Sequence, residues 1–144
     1  MDISFVITPW NCKDLLQATL KSIFNSQTKF KYEVIVYDHG SSDGSLEMVE
    51  AEFPQVTLIH GGDVGFAAAN NTGLKKSTGR YAVLLNADTE ISTDTIETMV
   101  TYMDNNPKAG IATGKLVLAV SGKLDKACRR SFPTPWVSFT RFSG

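Results

Sequence analysis

The chain has 144 residues, 42% apolar and 20% charged, enough for one domain with a real core and too apolar for a disordered or fibrous chain. Lys plus Arg number 14 against 15 for Asp plus Glu, a formal net charge of −1, and no long block of one sign occurs, which argues against nucleic acid as a partner. No apolar run approaches the ~20 residues of a bilayer-crossing helix. The N-terminus enters Ile3-Ser4-Phe5-Val6-Ile7 directly, without the charged region and cleavage site of a secretory leader.

Apolar runs alternate with helical patterns from the start. Residues 3–7 read as a strand, and after Pro9-Trp10-Asn11 the stretch 14–24 sets Leu15, Leu16, Leu20, Ile23 and Phe24 near one helical stripe. Residues 32–37 form a second strand that ends at Asp38, and Ser45 starts a helix after the loop Gly40-Ser41-Ser42-Asp43-Gly44. Residues 56–59 form a third strand. Three glycines in residues 61–65 precede an alanine-rich helix over 66–75. Tyr81-Ala82-Val83-Leu84-Leu85 is the most apolar strand and ends in Asn86-Ala87-Asp88. Ser92 or Thr93 caps a helix carrying Ile96, Val100 and Met103, residues 111–120 are extended, and Ser121-Gly122 is a turn. The alternation predicts an α/β fold whose mostly parallel central sheet is covered by helices on both faces.

In such a sheet the carboxyl ends of the strands share one edge, where ligands bind. Trp10, Asn11, Asp38, the glycine loop and Asp88 all fall there. Asp38 can accept from a base or a ribose, or cap a turn. Asp43 either meets a ligand or is accounted for by Asx-turn and N-cap chemistry. The run Gly65-Phe66-Ala67-Ala68-Ala69-Asn70 brings bare backbone to a helix N-terminus, which favours an anion. Asn70 and Asn71 are mid-helix amides that either meet a ligand or pair with a neighbouring loop. Asn86-Ala87-Asp88 ends an apolar strand in a carboxylate that can hold a hard divalent cation against a diphosphate, or else cap a turn. Arg129-Arg130 is a solvated pair or a phosphate clamp. His39 reads as structural, and Cys12 and Cys128 fit neither a disulfide framework nor a zinc spacing but incidental thiols in a reducing compartment. The glycine signatures of P-loop and dinucleotide-binding proteins are absent, and no glycine-rich turn of the nucleotidyltransferase kind follows the first strand.

Four segments in order, Ile7-Thr8-Pro9-Trp10-Asn11, Val36 to Ser45, Gly65 to Gly73 and Leu84 to Thr89, resemble the inverting glycosyltransferases of family 2, and within them the rhamnosyltransferase-like branch, over about residues 3–136. The resemblance implies a GT-A, Rossmann-like fold, cut short at its C-terminal side. Residues 1–120 would be the nucleotide-sugar-binding region and 121–144 the incomplete start of an acceptor-side region. It implies that Trp10, Asn11 and Asp38 hold the nucleoside, with Pro9 and Asp43 in the same binding loops. Gly65, Phe66 and Asn70 would line the donor site. Asn86 and Asp88 stand at the D-x-D position for the diphosphate and a Mg²⁺ or Mn²⁺ ion. Asn86 replaces the first carboxylate there, so the metal falls to Asp88, and His39-Gly40 replaces the usual Asn-Ala or Asn-Gly pair.

No acidic residue follows Asp125. The general base of the family is therefore expected beyond Gly144, and the chain is expected to bind a nucleotide-diphosphate sugar with weak or no transfer by itself. The implied donor is dTDP-rhamnose, the acceptor a glycan or lipid-linked molecule, and the place of action the cytoplasm or the cytoplasmic face of the membrane. The alternative is a non-catalytic nucleotide-binding or scaffold module of the same fold. Phe132, Trp136, Phe139 and Phe142 would be left without the half that covers them, so contact with a membrane surface or with another copy is expected. Light scattering should find a dimer or larger species; a monomer at high concentration would count against association through 132–142.

Overall fold

A computed structural model describes residues 1–125 and Cys128 of the chain. The elements run β1 (Ile3–Ile7), α1 (Lys13–Phe24), β2 (Tyr32–Asp38), α2 (Ser45–Glu52), β3 (Thr57–His60), α3 (Phe66–Lys76), β4 (Tyr81–Leu85) and α4 (Thr95–Asn105). The strands form one parallel sheet in the order β3-β2-β1-β4. Ile7 lies opposite Val36 on one side and Leu85 on the other, while Asp38 lies opposite His60, so the strands end nearly in step. The chain first builds outward from β1 through β2 to β3, then crosses back to add β4 on the other side. This reversal is the kind of switch point at which open α/β sheets form a crevice.

Strand residues alternate between faces. Ile3, Phe5, Ile7, Val34 and Val36 pack with Leu16, Leu20 and Ile23 of α1, Met48 and Val49 of α2, and Ile96 and Val100 of α4. Each such side chain removed from water contributes about 1.5–3 kcal/mol. That burial holds α1, whose N-cap position Cys12 makes no side-chain cap of its own. The opposite face carries α3, with Ala69 and Gly73 buried against β1 and β2. Helices thus cover both faces, as the sequence predicts.

Three expectations are corrected. β4 is not enclosed on both sides: its burial alternates, with Leu84 51% exposed, because α3 lies over β1 and β2 and leaves this face of β4 open. Residues 111–120 form no strand; among the described residues they pair only at a bridge between Val117 and Leu124 across the Ser121-Gly122 turn, and Ile111 and Val120 stand in solvent. Apolar composition alone does not make a strand without a ladder of backbone bonds to a neighbour. The last helix starts at Thr95, with Asp94 at its N-cap position, because Thr93 gives its carbonyl to the Gln27 N–H at 2.8 Å. By contact the chain divides into two compact units, residues 1–109 and 110–144. No helix among the described residues is long and apolar enough to cross a membrane.

At the opposite edge of the sheet, one carboxylate ties three elements. Glu33 Oε1 accepts from Ser4 Oγ at 2.6 Å, from the Thr78 N–H at 2.7 Å and from Thr78 Oγ1 at 2.8 Å. Gly79 donates its N–H to Ser4 Oγ at 2.8 Å, and a Cβ at Gly79 would meet the β1 backbone at 2.7 Å. The entry to β4 is thereby pressed onto β1.

Gly73 is the close-packing point of α3: a Cβ there would lie 2.3 Å from Cγ1 of the fully buried Val6. Alanine is favoured over glycine in a helix by about 1 kcal/mol, but overpacking costs about 1–3 kcal/mol. Gly73→Ala should therefore lower the urea midpoint. In a Val6→Ala background, where the obstructing methyl is gone, the same substitution should raise it.

Candidate functional site

The carboxyl ends of β1, β2 and β4 carry the loops that hold most of the predicted residues. After β1 the chain passes Pro9 and the 67% exposed Trp10, then turns at Asn11 with φ +46°. Asparagine tolerates this left-handed conformation better than most residues. Here the side chain also fastens the turn, because Asn11 Oδ1 accepts the Ser42 N–H at 2.8 Å while the Asn11 N–H donates to Ser41 Oγ at 3.0 Å. The His39 N–H donates to the Pro9 carbonyl at 3.3 Å. The loops after β1 and β2 are therefore one bonded platform.

Asp38 and Asp43 lie on the β2 side of that platform and differ in how far their oxygens are used. Asp43 Oδ2 accepts the Lys13 N–H at 2.8 Å, at the first residue of α1. Its Oδ1 accepts the Ser45 N–H at 3.1 Å and the Ser45 hydroxyl, at the first residue of α2. One carboxylate thus serves the orphan donors and positive dipole ends of two helices. Asp38 is 1% exposed. Its Oδ2 accepts the Gly40 and Ser41 N–H groups at 2.7 and 2.8 Å, while its Oδ1 is the one buried side-chain polar atom without a partner among the described residues. Buried polar atoms are nearly always bonded, so an orphan of this kind asks for a ligand or a water.

The β3–α3 loop is brought against β2. Gly61 gives its N–H to the Asp38 carbonyl at 3.1 Å, and a Cβ at this position would run into the Tyr37 ring at 2.2 Å. Beyond it Gly65 takes φ +80° to start α3, leaving Val64 and Phe66 exposed at the loop's end. The amide of Asn70 turns inward: its Nδ2 donates to the Phe66 carbonyl at 2.8 Å, so it secures the first turn of its own helix rather than a neighbouring loop.

Asn86 and Asp88 are exposed after β4. Among the described residues the Asp88 carboxylate accepts a hydrogen bond from Thr89 Oγ1, at 3.5 Å. The link between this loop and the platform is read at Cys12. Burial raises the pKa of its thiol most, a hydrogen bond from the Trp10 backbone opposes this, and the charges of Asp43, Asp88 and Asp38 push it further up. Three carboxylates from two loops thus bear on one sulfur. Cys12 is a free, half-buried thiol at the start of α1, directly after the Trp-Asn turn. Arg129 and Arg130 lie outside the described residues, as do Phe132, Trp136, Phe139 and Phe142.

No group of three or more His, Cys, Asp and Glu among the described residues is placed to cage a metal. A hard divalent ion needs fewer protein ligands when it is shared with phosphate, since Mg²⁺ commonly takes one or two carboxylates and fills its octahedron with phosphate oxygens and water. Asp88, a single exposed carboxylate after β4, fits that shared mode.

The sequence profile described as glycosyl transferase family 2 matches residues 4–133. The chain is 33% identical over 117 residues to the poly-beta-1,6-N-acetyl-D-glucosamine synthase of Staphylococcus epidermidis, covering 78% of this chain and 28% of that protein. The solved structure of S. aureus TarS 1-349 in complex with UDP-GlcNAc superimposes with a TM-score of 0.66 at 22% identity, covering 74% of this chain and 32% of that one. The mannosyltransferase PcManGT from Pyrobaculum calidifontis, in complex with GDP-Man and Mn²⁺, gives a TM-score of 0.62 at 27% identity over 70% of this chain and 32% of its own. The chain spans less than a third of the length of each.

The double cap at Asp43 makes a stability prediction. The Ser45 hydroxyl bond contributes most to lowering its pKa, burial opposes, and the Lys13 and Ser45 N–H groups add to the lowering. A carboxylate depressed by folding stabilises the fold above its unfolded pKa and loses that contribution as pH falls through the folded value, so the loss sets in below about pH 4. Asp43→Ala should cost about 1 kcal/mol at pH 7. Urea midpoints between pH 3 and 6 should vary less with pH in the variant than in the parent.

Proposed function

The chain belongs to glycosyl transferase family 2, and from that membership and the geometry of the site we propose that it forms the donor-binding part of a glycosyltransferase that uses a nucleoside diphosphate sugar. The observation that carries this reading is Asp38 Oδ1, a buried acceptor without a donor among the described residues, at the end of β2 in the bonded platform that also carries the exposed Trp10. A pyrimidine imide N–H or a ribose hydroxyl is the donor that oxygen lacks, and the Trp10 indole offers the face on which a base stacks. Pro9 and Asn11 shape the turn that presents Trp10, and Asp43 keeps the two loops in register.

The diphosphate lies in this reading toward the positive end of α3, whose first turn begins at Phe66 while the Gly65 N–H donates to Asp63 Oδ1 at 3.3 Å, and toward Asn86 and Asp88 after β4. Asp88 holds the divalent ion, Mg²⁺ or Mn²⁺; when bound, the ion neutralises charge on the departing diphosphate. That the PcManGT complex holds Mn²⁺ supports this assignment. Asn86, uncharged, donates to phosphate through its amide rather than serving as a second anionic ligand. The transfer is in-line displacement at the anomeric carbon, with a base beyond Gly144 taking the acceptor's proton. Residues 1–120 are the nucleotide-sugar region in this reading, the acceptor is a glycan or a lipid-linked molecule, and the enzyme works in the cytoplasm or at its membrane face.

For the donor sugar, dTDP-rhamnose rests on the rhamnosyltransferase-like resemblance, whereas the TarS complex holds UDP-GlcNAc. Both belong in the first screen. Asn86, in place of a carboxylate, favours as a second reading a module that binds nucleotide without transfer.

Titration calorimetry with UDP, dTDP and their sugars, with and without Mn²⁺, tests the proposal. Saturable binding that Mn²⁺ strengthens is expected. Trp10→Ala should weaken it by about 1–3 kcal/mol, the worth of one base–aromatic stack. Binding of no nucleoside diphosphate under any of these conditions would overturn the donor-site reading and leave a scaffold.

A further inference from the structure

The loop after β4 owes its shape to a helix far away in sequence. Thr19, in the middle of α1, is fully buried, and its Oγ1 donates to the Ala87 carbonyl at 2.9 Å. A helical threonine commonly turns its hydroxyl back to the carbonyl four residues earlier, as Thr72 does with Ala68 in this chain. Thr19 instead spends its single donor across 68 positions, on the residue between Asn86 and Asp88. One turn on, Ser22 Oγ donates to the Thr19 carbonyl at 2.7 Å and accepts the Ile91 N–H at 3.1 Å. Ala87 and Ile91 also pack against the core. Asp88, Thr89 and Glu90 therefore form a short arch between two fixed points.

We propose that Thr19 is a positioning residue for Asp88, orienting its carboxylate toward the metal-bound diphosphate; this rests on the donor-site reading given above. The physical link is the peptide plane. The Ala87 carbonyl and the Asp88 N–H belong to one rigid unit, so the hydroxyl that fixes the carbonyl also fixes where the Asp88 Cα begins. The Asp88 side chain is exposed, with Thr89 Oγ1 at 3.5 Å as its hydrogen-bond partner among the described residues, and the Thr89 N–H donates to the Asn86 carbonyl at 3.2 Å to close the turn that Thr19 anchors at its centre. Polar groups behind a metal ligand commonly decide how well that ligand binds. Thr19 does so through the main chain, from a buried place that touches neither metal nor nucleotide. Ser22 sets the far end of the arch and makes the Thr19 carbonyl part of the same network.

The test uses the 144-residue chain with UDP and Mn²⁺ as probes, read as the gain in UDP affinity that Mn²⁺ produces. Thr19→Val keeps the shape and removes the hydroxyl; it should reduce that gain about tenfold, in the range for groups that support a metal ligand, while UDP affinity without metal stays within about twofold of the parent. Thr19→Ser keeps the hydroxyl and should retain the gain. Asp88→Asn should abolish it, which checks the donor-site reading separately. If Thr19→Val keeps the full gain while Asp88→Asn loses it, the positioning role is wrong and the site stands. If Thr19→Ser fails as Thr19→Val does, or metal-free UDP binding falls equally in Thr19→Val, Thr19 merely supports packing and the proposal is overturned. If Asp88→Asn keeps the gain, or the parent shows none, the donor-site reading itself fails.

Discussion

Ile7 is the hinge of the architecture: it pairs in step with Val36 on one side and Leu85 on the other. A parallel sheet has no tight hairpins, so each strand must be re-entered from the same end, and every outgoing loop leaves at the opposite one. With β1 in the middle and its neighbours in register, the loops of 8–12, 39–44 and 86–90 have no choice but to share an edge. The residues that carry chemistry are the ones placed where three polypeptide segments leave the sheet side by side. The opposite edge carries the structural ties instead, where Glu33 gathers Ser4 and Thr78.

Two aspartates five positions apart show how one loop separates support from vacancy. Asp43 is exposed, yet both its oxygens are engaged by the starts of α1 and α2. Asp38 is buried, yet one of its oxygens has no partner among the described residues. In a folded chain the usual expectation is the reverse, since burial without a partner is what costs free energy. The fold therefore holds an unsatisfied acceptor in place by satisfying everything around it. The same arrangement brings carboxylate charge to bear on Cys12, whose thiol pKa is raised first by burial and then by Asp43, Asp88 and Asp38.

Much of this was legible in the chain. The strands at 3–7, 32–38 and 81–85 are runs of apolar residues ended by polar ones, and the helices between them announce themselves by spacing. Asp38, Trp10 and Asp88 could be placed at one edge from strand order logic alone. What the sequence hides is whatever depends on a partner distant along the chain. Tyr81-Ala82-Val83-Leu84-Leu85 is uniformly apolar and so gives no sign that Leu84 faces solvent; that follows from where α3 lies. Residues 111–120 are apolar enough for a strand but among the described residues pair only at the Val117–Leu124 bridge. Ser92 and Thr93 look like caps, but the backbone there is committed to Gln27. The bond from Thr19 to Ala87 and the cap from Asp43 to Lys13 are invisible for the same reason: nothing local requires them.

Gly73 has a geometrical consequence of its own. It fixes the one place where α3 can rest directly on Val6, and Phe66, the helix's first residue, lies seven residues before it. Seven residues are close to two full turns and span ~10 Å. Phe66 therefore has nearly the same azimuth as the resting point but sits beyond the strand ends, in the open. The helix behaves as a spacer of set length: one residue more or fewer between the two would slide the glycine loop by ~1.5 Å and swing it through ~100°. Loops elsewhere on this molecule can absorb insertions, but this interval is metrically closed to them.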